Sequence, residues 1–174
     1  GCTFNTTATV VDTPGPTAIA TTLTNTTCGN SIGSVVLGAV TGGTSGFTYS
    51  FDASPYTSTT IYSSLAAGSY TIIVKDNNGC TFTTSATLTD TPGPTALATS
   101  ITNTTCGSSN GTITIGATTG GTPSYTYSFN GGGFTSTSSF TGLAATTYSV
   151  IVKDANGCRF TVNPVIINTP GPTA

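Results

Sequence analysis

The sequence repeats itself at a fixed interval of 78 residues. Gly-Cys-Thr-Phe occupies residues 1–4, returns at 79–82 and, with one change, appears again at 157–160. A Cys-Gly pair keeps the same interval at Cys28 and Cys106, and no insertion or deletion separates the copies. A strictly fixed period is typical of one structural unit repeated in tandem. We therefore expect the function to belong to the array of repeats rather than to a single copy.

Pro-Gly-Pro marks the boundaries between the copies, beginning at Pro14, Pro92 and Pro170. Proline lacks a backbone N–H and fixes φ, so it interrupts a β-ladder and stiffens a connection. The motif therefore predicts four segments: the terminal strand of a preceding repeat at 1–13, a first repeat at 14–91, a second repeat at 92–169, and a linker to the next repeat at 170–174. We expect the strand at 1–13 to pair with the preceding repeat or with a neighbouring chain.

Comparison of the copies predicts β-strands. Apolar residues retained in both copies alternate with positions that tolerate threonine, which is the period of a strand with one buried face. The retained set is Val35, Leu37 and Ala39 with their equivalents Ile113, Ile115 and Ala117, and the changed positions are Val36 and Val40, which become Thr114 and Thr118. No segment has helical periodicity with caps.

Glycine- and asparagine-containing turns separate these runs, at residues 41–43, 78–79 and 131–133 among others. About seven short strands with frequent turns predict an all-β fold of tandem immunoglobulin-like β-sandwiches. Tyr70 and Tyr148 each follow a Leu-Ala-Ala turn and enter the penultimate strand. This placement predicts a tyrosine corner, in which the hydroxyl group binds a nearby backbone group; a half-buried strand aromatic is the alternative.

Composition argues against several classes of function. The chain has no His, three basic residues and five acidic ones, so it offers few groups that titrate or coordinate near neutral pH. We therefore expect no enzyme, catalytic residue, cofactor or metal. Nucleic-acid binding needs clustered cations, which a net charge of −2 does not supply. No apolar run approaches the ~20 residues of a membrane span.

The cysteines indicate disulfides and an oxidising compartment. Cys2, Cys80 and Cys158 occupy one phase of the repeat, and Cys28 and Cys106 occupy another. We favour Cys28–Cys80 and Cys106–Cys158 within each repeat, with Cys2 paired outside residues 1–174, because the second proline of a Pro-Gly-Pro hairpin could not donate the closing hydrogen bond. Pairing across the linker, Cys2–Cys28 and Cys80–Cys106, also fits. A third possibility is a bridge between the far ends of successive domains, if strand direction separates Cys28 from Cys80.

Two smaller features have more than one interpretation. Asp76 and Asp154 precede Asn-containing turns that could offer oxygen ligands to calcium, although a plain hairpin turn is the favoured interpretation. Four aromatic residues precede the tyrosine-corner segment in the two copies: Tyr56, Tyr62, Phe134 and Phe140. They either pack in the core, which we favour, or lie on loops that bind carbohydrate or another surface.

Three segments together resemble SprB-type repeats: Gly-Gly-Thr-Pro-Ser-Tyr-Thr-Tyr-Ser-Phe at 120–129, Leu-Ala-Ala-Gly-Ser-Tyr-Thr-Ile-Ile-Val-Lys-Asp at 65–76, and Asp-Ala-Asn-Gly-Cys at 154–158. Such repeats occur in large surface adhesins of gliding Bacteroidota. The resemblance implies an extracellular, cell-attached filament or adhesin exported by the type IX route. The chain differs in placing Phe51 and Phe129 where the family usually has Trp, and in using Pro-Gly-Pro as linker.

These observations predict a structural subunit of an extracellular, cell-surface filament or adhesin stalk. The expected partners are neighbouring copies of the chain or adjacent repeats, because a weakly charged surface opposes association little. The alternative is a carbohydrate- or surface-binding module of a secreted adhesin, whose partners would be surface glycans.

Overall fold

The computed structural model describes residues 1–172, which form strands and turns without a helix. The predicted all-β fold class is confirmed. With no helix in this range, none is long and apolar enough to cross a membrane. The chain divides into two compact units, one made of Gly1–Asn25 and Ser31–Thr89, the other of Thr26–Asn30 and Asp90–Ala174. The short segment Thr26–Asn30 thus leaves its own repeat in the sequence and joins the second unit.

Two three-stranded sheets form the sandwich of the first unit, which therefore has six strands where we expected about seven. The strands up to residue 91 are β1 (Pro16–Thr24), β2 (Thr26–Thr27), β3 (Gly33–Gly42), β4 (Thr48–Phe51), β5 (Ile61–Leu65), β6 (Gly68–Lys75), β7 (Thr81–Leu88) and β8 (Asp90–Thr91). The sheet orders are β1-β3-β5 and β4-β6-β7. One sheet is formed from the first, second and fourth of these six strands and the other from the third, fifth and sixth, which is the arrangement of an immunoglobulin-like sandwich.

The core of the first unit lies between its two sheets. Val35 and Leu37 on β3 face Ile72 and Val74 on β6, and Leu88 on β7 completes the layer. All five are buried. Apolar residues alternate with polar or tolerant ones along these strands, and successive side chains of a strand point in opposite directions. The apolar side chains therefore lie on one face of each sheet.

The second unit repeats this architecture. Its strands are β9 (Pro94–Thr102), β10 (Thr104–Thr105), β11 (Gly111–Gly120), β12 (Thr126–Phe129), β13 (Ser139–Leu143), β14 (Val150–Lys153), β15 (Arg159–Val162) and β16 (Asn168–Thr169). The sheets are β9-β11-β13 and β12-β14-β15. Val150 and Val152 are fully buried at the centre, as their equivalents are in the first unit.

One predicted core position of the repeat is wrong. Ala39 and its equivalent Ala117 are exposed, and in the first unit Val40 packs against the core instead. The pairing of β1 with β3 shifts register between Ile19↔Val40 and Thr21↔Leu37. A bulge of this kind adds a residue to one strand and reverses the alternation beyond it, so a period-two pattern predicts the wrong face there.

The last strand is shorter in the second unit because of a proline. β7 pairs with β6 over eight residues, with Ala86 opposite Tyr70, whereas β15 and β14 pair over four. Pro164 occupies the position that corresponds to Ala86, and proline has no N–H to donate to a ladder. Tyr148 still donates its N–H to the carbonyl of Pro164 at 2.9 Å, so the path of the chain is kept.

Residues 1–13, predicted to be a terminal strand, form no strand, and their side chains are exposed. Their equivalents in β7 pair with β6, whereas residues 1–13 have no ladder partner among the described residues. A strand without a ladder partner has nothing to bind its backbone groups. The assignment of this segment to a preceding repeat stays a prediction. Of the predicted linker 170–174, residues 173 and 174 lie outside the described residues.

Candidate functional site

A short parallel ladder in the second unit positions the first cysteine. Thr26 and Thr27 on β2 pair with Asp90 and Thr91 on β8, and the N–H of Cys28 donates to the carbonyl of Thr91 at 3.0 Å. Side chains reinforce the ladder. The Asp90 carboxylate accepts from the Thr26 hydroxyl at 2.8 Å and from the Gly29 N–H at 3.1 Å. Cys28 is thereby held beside the Pro-Gly-Pro segment.

Cys28 forms a disulfide with Cys158, across a sequence separation of 130 residues. The two Cα atoms lie 5.2 Å apart, within the usual range for a disulfide. Cys158 is buried, and Cys28 is half-buried. The bond joins a cysteine of the first sequence repeat to a cysteine of the second, and both belong to the second compact unit.

The Pro-Gly-Pro segment needs a glycine at position 93 because its backbone passes close to Cys158. A Cβ atom added at Gly93 would lie 2.5 Å from the Cβ of Cys158, which is too close for any side chain. Gly93 therefore provides the space in which Cys158 reaches Cys28. We call the residues Thr26–Gly29, Asp90–Pro94 and Cys158 the linkage site.

The second repeat carries a copy of half of this site. Thr104 and Thr105 pair with Asn168 and Thr169 in the same parallel register. Cys106 donates its N–H to the carbonyl of Thr169 at 3.0 Å, and its φ of 52° is close to the 61° of Cys28. Asn168 replaces Asp90 and accepts from the Gly107 N–H at 2.9 Å. We call Thr104–Gly107 with Asn168–Gly171 the open site, because Cys106 has a free, exposed thiol.

The predicted pairings Cys28–Cys80 and Cys106–Cys158 are wrong. Cys106 lies beside Thr169, whereas Cys158 lies in the turn between β14 and β15, eleven residues earlier in the chain. Extended chain rises about 3.3 Å per residue. The two cysteines of one repeat are therefore held at opposite ends of its last strand, and a disulfide needs Cα atoms within about 7 Å. Cys80 and Cys106 are free, so pairing across the linker is not formed either.

Asp76 and Asp154 organise the turns that hold the other class of cysteine. The Asp154 carboxylate accepts from the backbone N–H groups of Thr122, Asn156 and Cys158, at 2.9, 3.0 and 2.8 Å. Asp76 accepts equivalent bonds from Thr44, Asn78 and Cys80. The backbone N–H of Thr44 above all holds the pKa of Asp76 below its ordinary value of 3.8.

These two carboxylates have a structural role in holding the backbone of their turns. Each is buried and already occupied by three backbone donors. Within residues 1–172, no group of three or more acidic, cysteine or histidine residues is arranged to hold a metal ion. The turn interpretation of Asp76 and Asp154 therefore accounts for all of their contacts that the structure records.

A comparison with protein families places residues 98–134 in the SprB repeat. This stretch runs from β9 through β12 and corresponds to residues 20–56 of the first copy. This part of the chain is therefore similar to a SprB repeat. This similarity and the disulfide favour a repeat protein of the cell surface. No curated protein matches the sequence.

Solved structures with similar folds come from several sources. Murine CEACAM1b has 12% identity and a TM-score of 0.35, over 87% of this chain and all of the other. The surface layer protein SbsC, domains 4–9, has 17% identity and a TM-score of 0.32, over 92% of this chain and 32% of the other. The fibronectin-III array of RIM-binding protein has 16% identity and a TM-score of 0.28, over 88% and 61%.

The tyrosine corners of the two repeats have the expected geometry. The Tyr70 hydroxyl donates to the carbonyl of Ala66 at 2.9 Å, and the Tyr148 hydroxyl donates to that of Ala144 at 3.0 Å. Each ring also stacks on the last aromatic of the neighbouring strand, Phe51 or Phe129. The corners thus fix the loop that precedes the penultimate strand.

The four aromatic residues that precede the tyrosine corners divide into two pairs. Tyr62 and Phe140 stack on the aromatic strand, with ring centroids 3.9 Å from Phe51 and 4.1 Å from Phe129. Tyr56 and Phe134 lie nearer the surface, under the ammonium groups of Lys75 and Lys153 at 4.0 and 4.4 Å from the ring centroids. Two of the four thus support the core, and the outer two each have a cation over one face of the ring.

Proposed function

We propose that this chain is a structural segment of an extracellular, cell-surface filament or adhesin stalk. Its role is to keep an array of sandwich repeats mechanically continuous. Export by the type IX route, as implied by the resemblance to gliding adhesins, is part of the proposal. So is a non-enzymatic role, which suits a chain with few titratable groups.

The disulfide between successive sequence repeats carries this proposal. Both cysteines lie in the second compact unit, but Cys28 comes to that unit from the first sequence repeat. Here Cys28 and Cys158 belong to different copies of the 78-residue period. A covalent connection besides the main chain, formed beside the Pro-Gly-Pro segment at Pro92–Pro94, suits a protein that is pulled along its length.

Surface composition is consistent with assembly. Charged residues make up 5% of the chain, far below the ~25% of ordinary soluble domains, so repulsion between copies is small. Adjacent repeats and neighbouring copies of the chain are therefore the partners that we propose. Glycan binding has weaker support, because two of the four candidate aromatics are packed within the sandwiches.

Immunogold electron microscopy on intact cells that make the protein tests the proposal. Antibodies against the two repeats should label thin filaments on the outside of unpermeabilised cells. Label confined to the cell interior, or found only on dispersed soluble protein, would contradict it. A glycan array with the purified chain separates the alternative, since strong binding to defined sugars without filament formation favours the binding-module function.

A further inference from the structure

Two of the three free cysteines sit in surroundings that match the two halves of the linkage site. We call Cys28 and Cys106 the leading cysteines, and Cys2, Cys80 and Cys158 the trailing cysteines, from their phases in the repeat. The one disulfide within residues 1–172 joins a leading cysteine to the trailing cysteine of the following repeat. If Cys106 bonds at the same sequence separation, its partner is the trailing cysteine of a repeat that follows residue 174.

The leading half of the site is already formed at Cys106. Its N–H bond to Thr169 has the same 3.0 Å length as the bond from Cys28 to Thr91, and both cysteines have a positive φ. A Cβ atom added at Gly171 would lie 3.1 Å from the Cys106 sulfur, so the sulfur is directed at the glycine of the linker. The backbone geometry of the bonded leading cysteine thus exists here without its partner, and the Cys106 sulfur lies by the linker glycine, where Cys158 lies at the linkage site.

The trailing half is likewise formed at Cys80. A Cβ atom added at Gly15 would lie 2.6 Å from the Cβ of Cys80, nearly the 2.5 Å found between Gly93 and Cys158. The Asp76 carboxylate accepts from the Cys80 N–H at 2.8 Å, as Asp154 does from Cys158. Yet Cys80 is exposed, whereas the bonded Cys158 is buried. The difference between them is whether a leading cysteine covers the sulfur.

We propose that Cys106 is the attachment site for the trailing cysteine of the next repeat in a tandem array. Gly15 and Cys80 are, in turn, the surface that receives the leading cysteine of the preceding repeat. An array would then carry one inter-repeat disulfide at every Pro-Gly-Pro linker. This inference goes beyond the proposed function, because it depends on the repeat and the linkage site and holds whether or not the array forms filaments.

Bond formation requires an oxidant, which we take to be a small-molecule or protein disulfide. The thiolate of Cys106 attacks one sulfur of this oxidant, giving a mixed disulfide and releasing one thiolate. The thiolate of the incoming trailing cysteine then attacks the Cys106 sulfur and releases the second. Both protein thiols are oxidised by two electrons in total, the oxidant disulfide is reduced to two thiols, and the two protons pass to the released thiolates.

The test uses the full chain extended after Ala174 by a second copy of residues 97–174. In this copy Ser108→Thr and Arg159→Lys are mass markers beside the two added cysteines. After oxidative refolding with oxidised and reduced glutathione, non-reducing peptide mapping should give two disulfides. They are Cys28–Cys158 and a bond from Cys106 to the trailing cysteine of the copy, and Cys106 should no longer react with maleimide.

Variants of the extended chain keep the proposal falsifiable. Gly171→Ala should reduce the yield of the Cys106 bond several-fold, because the added methyl group occupies the space that the trailing cysteine needs. Gly133→Ala is the matched control, since a Cβ atom there meets nothing within 4 Å. A Cys106 thiol that stays reactive in a folded extended chain would overturn the proposal. So would bonds between Cys106 and Cys80 of separate molecules as the main product.

Discussion

The two repeats have the same architecture but stabilise it differently. The first unit has a full last strand, with Ala86 in the ladder, and Val40 packed against its core. The second has Pro164 and Thr118 at these positions, and the Thr118 hydroxyl oxygen is buried without a hydrogen-bond partner among the described residues. The second unit, however, contains the disulfide.

The fold thus tolerates weaker packing in the unit whose chain is restrained by a covalent bond. A disulfide acts mainly on the unfolded state by reducing its conformational entropy, whereas a ladder bond or a buried methyl group acts on the folded state. Reduction should therefore change the second unit and leave the first nearly unchanged. The following variants test this comparison.

Removal of the disulfide should have the largest effect. Cys28→Ser should lower the free energy of unfolding of the second unit by about 5 kcal/mol, as expected in the chain-entropy model for closing so long a loop. Urea unfolding followed by circular dichroism measures the change. Cys106→Ser is the matched control and should have little effect, because its thiol is free and exposed. Equal losses in both variants would contradict the comparison.

Gly93→Ala should cost about 2 kcal/mol, because overpacking at a close contact forces its neighbours to move. Gly15→Ala should cost a similar amount in the first unit, where the contact with Cys80 exists without a disulfide. Thermal unfolding of each variant gives the comparison. If only Gly93→Ala destabilises, the close approach depends on the disulfide and is not a property of the repeat.

Positions 40 and 118 are equivalent in the two repeats and carry Val and Thr. Exchanging these residue types should raise the stability of the second unit and lower that of the first. Thr118→Val should stabilise the second unit by about 1 kcal/mol, because it removes a buried polar group that lacks a partner. Val40→Thr should destabilise the first unit by about the same amount. Denaturant midpoints measure both, and a destabilising Thr118→Val would show that the hydroxyl is satisfied in solution.

The smallest effect is a pH dependence in the first unit. The folded-state pKa of Asp76 lies below its ordinary value of 3.8, so its ionised form stabilises the fold above that pH. The free energy of unfolding should therefore fall as pH drops from 3.8 through the lower folded-state pKa. Asp76→Asn should flatten this part of the curve, measured by urea unfolding between pH 2 and 6. Asp52→Asn, at an exposed turn, controls for the change in net charge.

The sequence predicted much of the fold because the two copies could be compared. Retained apolar residues such as Val35 and Ile113 located the buried face, and Tyr70 and Tyr148 located the penultimate strand. The exposed Ala39 was missed, because a bulge breaks the period of two and leaves no clear sign in composition. Pro164 gave a local signal of a shortened strand, but only the ladder shows its extent.

The linkage site was less predictable. The third possible pairing, between far ends of successive domains, proved to be the one formed. Spacing along the chain cannot rank the three, because the distance between cysteines depends on the end of the last strand at which each one lies. The contributions of Asp90 and Gly93 were not predicted at all. The one available signal was the repeated Pro-Gly-Pro, whose central glycine leaves room for a neighbouring atom.

Non-reducing peptide mapping of the 174-residue chain, with free thiols alkylated before digestion, tests the central claim most directly. The account predicts one linked peptide pair that contains Cys28 and Cys158, with Cys80 and Cys106 recovered as alkylated thiols. Recovery of Cys28 linked to Cys80, or of Cys80 linked to Cys106, would contradict a bond between successive repeats.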